Sequence, residues 1–562
     1  MAANRKAVLA AVAAFAVTAL WRLMTYSGFP NDHYVHLARA QQMLLGAWPV
    51  RDFVDPGLPL MYAVSALARW VFGVALRSEF MVVAAGFAVG AAATAVCALS
   101  LTPSITVSAV VVLLQVLASP RSYSYPKILL YGLAACAVVA VAAAPVRRRI
   151  MLAGALAAVA FLFRHDHGLY IGVPCAVAVV LSRLPDWRAA FRGVCLFAAT
   201  AGLLLAPWAV FVQRYEGLAG YFRSGLYFSA READATVLRE FPRFLLSGPL
   251  YSAENAQAWL SYLFVGVPIG CAVLAAWCYA RGRQRWIGES AAITSLALMA
   301  LLADRGFLRS PLGMRLPDAV VLPGLLGAWM LGLAWTGRAS GGTFGGTLSR
   351  IATATVRTGI VRTAVVRSIC VAVVLVTSAA IWRVGDTTQM LDRAGFLDGT
   401  DAIVSNLDET LLDLSKTESK VVQVPSRVTA VLAPFFDYID SCTQPTDRIL
   451  ITAQYPDVFV AAKRGFAGGQ VAFIEGYYVS REEQLQTLTR MRAESVPFVF
   501  LVLDRQPVFE RDFPLINEYV ASAYTPMFDF PVPGLREGLR VLVERKRTAS
   551  GTYAETNWPC FR

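Results

Sequence analysis

Two short stretches hold every histidine of the sequence: N-D-H-Y-V-H, with His33 and His36 beside Asp32, and R-H-D-H, with His165 and His167 around Asp166. Imidazole and carboxylate at such spacing can take up and release protons near neutral pH, provided they come within hydrogen-bond reach of a substrate. The same side chains can ligate a divalent cation. Neither spacing is diagnostic of a metal site, so a divalent cation stays open and no other cofactor is expected. Asp32 opens the helical pattern D-H-Y-V-H-L-A-R-A, where its oxygen is expected to cap the first turn. Arg39, Arg51, Asp52 and Asp55 follow in the same stretch, and Asp55 is the second acid candidate. Cations complete the set: Arg121 and Lys127 in S-P-R-S-Y-S-Y-P-K, Arg164 before H-D-H, and Arg305, Arg309 and Arg315 in A-D-R-G-F-L-R-S-P-L-G-M-R-L-P-D. The planar guanidinium fork suits bidentate binding of phosphate. Each group also has a plainer reading, as a helix-lining histidine, an interfacial turn or a lipid-headgroup contact.

The elements that must position these residues are membrane helices. Hydrophobic residues make up 57% of the 562 and charged residues 16%, where soluble domains carry about 25% charged. A spanning helix needs about 20 apolar residues. Eleven spans are expected, near 7–25, 79–100, 104–118, 128–144, 150–163, 168–182, 193–213, 257–280, 287–302, 318–336 and 367–385. The N-terminal M-A-A-N-R-K and its apolar run read as an uncleaved first span, because no small-residue cleavage site precedes Trp21-Arg22. A net charge of +13 would suggest nucleic acid in a soluble chain. Here residues 386–562 are net acidic, and the excess base lies in short loops between apolar segments. Such bias sets topology, so no nucleic-acid partner is expected.

Arg5 and Lys6, Arg147 to Arg149, Arg183 with Arg188 and Arg192, Arg281 with Arg283 and Arg285, and Arg338 through Arg367 all fall on one side of this threading. That side is the cytoplasm by the positive-inside rule, which places the N-terminus inside. The parity requires Leu58–Val74, which carries Arg69, to lie in the outer interface as an amphipathic helix anchored by Tyr62 and Trp70. The outer segments are then 26–78, 119–127, a turn near 164–167, 214–256, 303–317 and 386–562. Both histidine stretches fall on that face. Ionisable groups at a membrane boundary are costly unless they line a polar cavity, so they are functional candidates.

The chain divides into a membrane domain, 1–385, and an extracytoplasmic domain, 386–562. Residues 337–366 read as a Gly/Ser/Thr linker. In the tail, D-R-I-L-I-T-A, Q-V-A-F-I-E, P-F-V-F-L-V-L and L-R-V-L-V-E-R are expected strands, with helices over Arg481–Arg492 and Asp512–Ser522. That alternation predicts a small α/β domain, with no glycine-rich phosphate loop, suited to docking or guiding an acceptor. Seven cysteines lie in apolar segments as packing residues. Cys442 and Cys560 lie in the tail and would pair only in an oxidising compartment.

The first outer loop reads D-x-x-Y-x-x-x-A-x-x-M-x-x-G and continues through W-P-V-R-D-F-V-D-P-G-L-P-L-M-Y to W-V-F-G. This pattern resembles the GT-C superfamily of polyprenyl-phosphate-sugar glycosyltransferases, nearest to the protein mannosyltransferase and lipid A aminoarabinose transferase group. L-A-G-A-L-A-A-V-A-F-L-F-R-H-D-H-G-L-Y-I-G-V-P and A-P-W-A-V-F-V-Q-R-Y are similar to later family spans, and the likeness covers about residues 7–340. It implies a GT-C-like fold, an outward-facing site, a polyprenyl-phosphate-linked sugar donor, and catalysis by the first-loop acid. Asp32 is the residue matching that acid. R-H-D-H stands where the family has Lys, and Lys127 where an acidic residue is frequent, so the donor and any metal requirement stay open.

The expectation is therefore an inverting glycosyltransferase (EC 2.4 class) of the cell (inner) membrane, acting on a glycan, lipid or protein acceptor among membrane lipids. Asp32 is the expected base. His33, His36, Asp55, Lys127, Arg164, His165, Asp166, His167, Arg309 and Arg315 are the expected substrate-binding residues, the cations among them for the donor phosphate. The alternative is a transporter or lipid flippase that binds its substrate with the same charged cluster. The absence of internal halves and the placement of polar groups at span ends favour the enzyme.

Overall fold

The computed structural model describes residues 2–102, 104–235, 241–247, 249, 251–282, 287–309, 313–336, 360–415, 433–531 and 535–562. Its helices through residue 384 are α1 (Ala2–Met24), α2 (Asn31–Leu44), α3 (Pro59–Phe72), α4 (Leu76–Leu101), α5 (Ile105–Leu117), α6 (Tyr125–Ala143), α7 (Arg147–Phe163), α8 (His165–Leu181), α9 (Trp187–Tyr215), α10 (Leu218–Ala235), α11 (Ala253–Gly282), α12 (Ile287–Arg309), α13 (Val321–Thr336) and α14 (Ile360–Val384). Every expected span coincides with a helix. Seven of them, α1, α4, α6, α9, α11, α12 and α14, contain a stretch long and apolar enough to cross a membrane. α5, α8 and α13 are apolar but shorter. Residues 337–359, most of the expected linker, lie outside the described residues.

One compact unit comprises 1–26, 83–208 and 235–408. In it α7 packs on α8, α8 on α12, and α11 on both α12 and α14. Small residues permit the close approaches: a Cβ on Gly132 of α6 would lie 2.6 Å from the Gly90 carbonyl oxygen of α4. Membrane helices use such positions because van der Waals packing must replace the hydrophobic drive. Outward faces stay apolar, with Leu203 76% exposed and Val273 66%. Side chains of this kind along helices of spanning length need lipid as their solvent, which makes the chain an integral membrane protein.

The second unit comprises 27–82, 209–234 and 409–562. Its centre is a five-stranded sheet ordered β2-β1-β3-β5-β4, from β1 (Arg448–Ile451), β2 (Gly465–Phe466), β3 (Phe498–Val502), β4 (Tyr524–Phe530) and β5 (Leu539–Glu544). β1 runs parallel to β2 and β3, while β5 is antiparallel to β3 and β4. β3, F-V-F-L-V, is buried at all five positions, as a central strand covered on both faces must be. A small ribbon, β6 (Gly551–Thr552) with β7 (Pro559–Cys560), closes the tail, and a disulfide joins Cys442 to Cys560.

β2 is an edge strand, and α2 covers that edge. The Gln42 amide donates to the Phe466 carbonyl and accepts from its N–H, both at 3.2 Å, in place of a neighbouring strand. Gln41 donates to the carbonyls of Phe459 at 2.9 Å and Arg464 at 3.1 Å. A Cβ on Gly465 would collide with Gln42 Oε1 and the Arg448 side chain, so a larger residue there would push the Gln42 amide off the strand edge.

Three expectations need correction. Q-V-A-F-I-E is no strand: Val471 and Phe473 alternate inward, Phe473 against Phe509 and Phe513, but among the described residues no backbone neighbour pairs with them. The helix expected over Asp512–Ser522 is present as Pro514–Ala523, preceded by a further short helix, Gln506–Asp512, that ends where Pro514 interrupts it. α3 exists where the interfacial helix was expected, and Trp70 is exposed, but Tyr62 is fully buried and anchors nothing to lipid. Asp32 does not cap α2; the N-cap is Pro30, without a side-chain bond, and Asp32 lies in the first turn.

Candidate active site

The first-loop residues belong to the second unit and separate into three kinds of carboxylate. Asp55 is buried and fully engaged. Its Oδ1 accepts from the N–H groups of Gly57 and Leu58, both at 2.9 Å, and from Tyr62 at 3.3 Å, while Oδ2 accepts from Tyr221 of α10 at 2.9 Å. Arg39 donates to the Tyr62 hydroxyl at 3.1 Å. Burial, with the Asp55 charge adding to it, pushes the Tyr62 and Tyr221 phenols well above their ordinary range. Both therefore remain donors to Asp55 at any physiological pH. Asp52 is bound by the Trp48 N–H at 2.7 Å and the Arg51 guanidinium at 2.8 Å.

Asp32 differs from both. It is exposed, and among the described residues its carboxylate has no hydrogen-bond or ion-pair partner. Its neighbour His33 is fully buried, with Nε2 2.8 Å from Glu79 Oε1 of α4. Ser65 of α3 donates to the same Glu79 oxygen at 3.1 Å. His33 stacks on Phe29 at 4.3 Å between centroids, and His36 stacks on Tyr62 at 5.9 Å. His33 and His36 thus face the interior of the unit while Asp32 faces out. This follows from α2's geometry: positions 33 and 36 share one face, and position 32 is rotated about 100° from 33.

The remaining candidates belong to the first unit. Lys127 in the first turn of α6 and Arg121 just before it both contact Asp318 Oδ2, at 2.7 and 3.2 Å. Arg164 clasps Asp166 with two bonds of 2.8 and 3.0 Å, and Asp166 also accepts from the His167 N–H at 2.9 Å. The H-D-H histidines diverge. His165 bonds the Phe161 carbonyl at 2.7 Å and stacks on that ring, whereas His167 is buried against the Tyr131 hydroxyl at 2.6 Å. Arg315 lies in the turn Gly313–Ala319 that carries Asp318. The side chain of Arg309 lies outside the described residues. Arg121, Lys127 and Asp318 together carry one excess positive charge, so an anion arriving there competes with Asp318.

No family model matches the sequence, and no curated protein does. Among solved structures, the chain is similar to ArnT from Cupriavidus metallidurans bound to undecaprenyl phosphate, at 14% identity and a TM-score of 0.47. The match covers 95% of this chain and 97% of that one.

Among the described residues no three His, Cys, Asp or Glu side chains converge as a metal site. Sequence reasoning missed Glu79, Tyr62, Tyr221, Tyr131 and Asp318 as members of these clusters. Glu79 did carry a signal, since a carboxylate in the first turn of a spanning helix needs a partner. The tyrosines carried none, being indistinguishable by type from interfacial anchors.

Proposed function

We propose that this protein is a membrane glycosyltransferase. It moves a sugar from a polyprenyl-phosphate-linked donor to an acceptor hydroxyl or amine at the outer face. Asp32 takes the acceptor proton as the acceptor atom bonds to the anomeric carbon. The bond from that carbon to the phosphate oxygen breaks, and the polyprenyl phosphate departs with the electron pair. Lys127, Arg121, Arg164 and Arg315 are the candidates for holding that phosphate, an electrostatic task suited to a low-dielectric surrounding.

One observation carries the assignment of the base. Of the three first-loop aspartates, Asp52 and Asp55 already accept several hydrogen bonds, while Asp32 is exposed and unengaged among the described residues. A general base needs a free lone pair within reach of its substrate. The first-loop pattern supplies the reaction class by resemblance. The Cys442–Cys560 disulfide supports an oxidising, extracytoplasmic compartment for the tail, and an odd number of crossings then puts the N-terminus in the cytoplasm. In membranes supplied with polyprenyl-phosphate-linked hexoses, pentoses and amino-pentoses, Asp32→Asn is expected to lower transfer by ~10²–10⁴-fold. Full transfer by that variant would remove Asp32 from the base role.

One observation favours the transporter reading. Asp304 of α12 is fully buried, and neither carboxylate oxygen has a hydrogen-bond partner among the described residues. Buried acids inside spans commonly mark proton or ion paths. Gradient-driven uptake into proteoliposomes, abolished by Asp304→Asn and without a covalent product, would replace the enzyme reading.

A further inference from the structure

α2 begins without the device that ordinarily fixes a helix start. Its N-cap, Pro30, has no side-chain acceptor to offer the first-turn amides. Among the described residues, the carboxylate of the candidate base Asp32 makes no bond that would fix the turn. Something else has to hold the backbone at residue 32. The bonds nearest to it are those of the next residue: the His33 N–H donates to the Pro30 carbonyl at 2.8 Å, and the His33 ring meets Glu79 at 2.8 Å with Phe29 stacked on it. Asn31 adds a longer bond to the Gln454 carbonyl at 3.2 Å.

From this arrangement we infer that Glu79, acting through His33 and steadied by Ser65, is the positioning residue for Asp32. This inference rests on the reading of Asp32 as the base. The imidazole donates to Glu79 Oε1 when Nε2 carries its proton, and Ser65 donates to the same oxygen. Three elements are thereby tied at one atom: α2 through His33, α3 through Ser65 and α4 through Glu79. All three side chains are fully buried, so water offers no substitute acceptor. The carboxylate of Asp32 stays free to act because the anchoring is done one residue further on. A catalytic group displaced by about 1 Å can cost ~10²-fold in rate, so the anchor's effect belongs in turnover and not in donor affinity.

The test compares Glu79→Ala, Glu79→Gln and Ser65→Ala in the full-length protein, each checked for amount in the membrane. Glu79→Ala is expected to lower kcat ~10–100-fold with KM for the polyprenyl-phosphate sugar unchanged. Glu79→Gln, whose amide oxygen still accepts from His33 and Ser65, is expected within about threefold of the parent. Combining Asp32→Asn with Glu79→Ala should give no loss beyond Asp32→Asn alone. Independently of activity, hydrogen exchange at the His33 and Tyr34 amides should quicken at least ~10-fold in Glu79→Ala. If Glu79→Ala does not accumulate, Ser65→Ala gives the same signs at smaller size. Additive losses, a loss confined to KM, failure of Gln to rescue, or unchanged exchange would each overturn the inference. An active Asp32→Asn would be seen before any Glu79 variant is needed, so failure of the base assignment is distinguishable from failure of its anchor.

Discussion

Asp32 and Asp55 have the same chemistry and opposite circumstances, and their variants separate accordingly. Removing Asp55 in Asp55→Ala leaves two backbone N–H groups and the Tyr62 and Tyr221 hydroxyls without their acceptor. The expected cost is on the order of 3 kcal/mol, read as a drop in the thermal unfolding temperature of detergent-purified protein. Asp32→Ala removes only a favourable charge from a helix start, about 0.3–1 kcal/mol, while transfer is lost. Equal destabilisation by the two would contradict this division. For the cations, Lys127→Ala deletes one charge-assisted contact of about 1.5–3 kcal/mol. If Lys127 binds the donor phosphate, KM for a polyprenyl-phosphate sugar rises roughly tenfold or more; an unchanged KM assigns Lys127 to Asp318 alone. The two clusters of charge were visible in the sequence because acid, base and imidazole are scarce in an apolar chain. Which carboxylate is engaged was not visible, because Tyr221 reaches Asp55 from 166 residues away.

At the scale of elements, every expected span is a helix because apolar length leaves a membrane chain few alternatives. The misreadings concern short polar-flanked segments, where tertiary context decides. β2 has two residues and no pattern to detect, and it exists because β1 lies on one side and Gln42 on the other. Q-V-A-F-I-E has the alternation of a strand and buries Val471 and Phe473, yet among the described residues it lacks a pairing partner, which no local pattern encodes. The position of Tyr62 on α3 suits the lipid interface, whereas its hydroxyl lies between Arg39 and Asp55. Helix packing makes a sharper prediction. Gly132→Leu places a side chain against the Gly90 carbonyl, so α4 and α6 must part. Loss of folded protein from the membrane, measured by detergent extraction and gel filtration, is the expected result, while Gly266→Leu, where a Cβ meets nothing within 4 Å, is tolerated.

At the scale of the whole molecule, the disulfide closes a loop across a separation of 118 residues, from the helix Ala433–Cys442 to the ribbon strand β7. Cys560→Ser is expected to destabilise the tail by about 2–4 kcal/mol. It should also expose Cys442 to alkylation without a reductant. Protection of Cys442 in that variant would argue that burial alone shields it. The discontinuous second unit has a consequence in time. Gln41 bonds a carbonyl 418 residues further along the chain, and the edge that α2 covers is made of residues that have yet to be translated when α2 emerges. At about 5–20 residues per second, α2 waits roughly 20–80 s for those partners. During that interval its amide-bearing face lacks the carbonyls that it binds in the folded protein. A ribosome that stops before residue 459 therefore releases a chain whose α2 lacks the carbonyls that Gln41 and Gln42 bind.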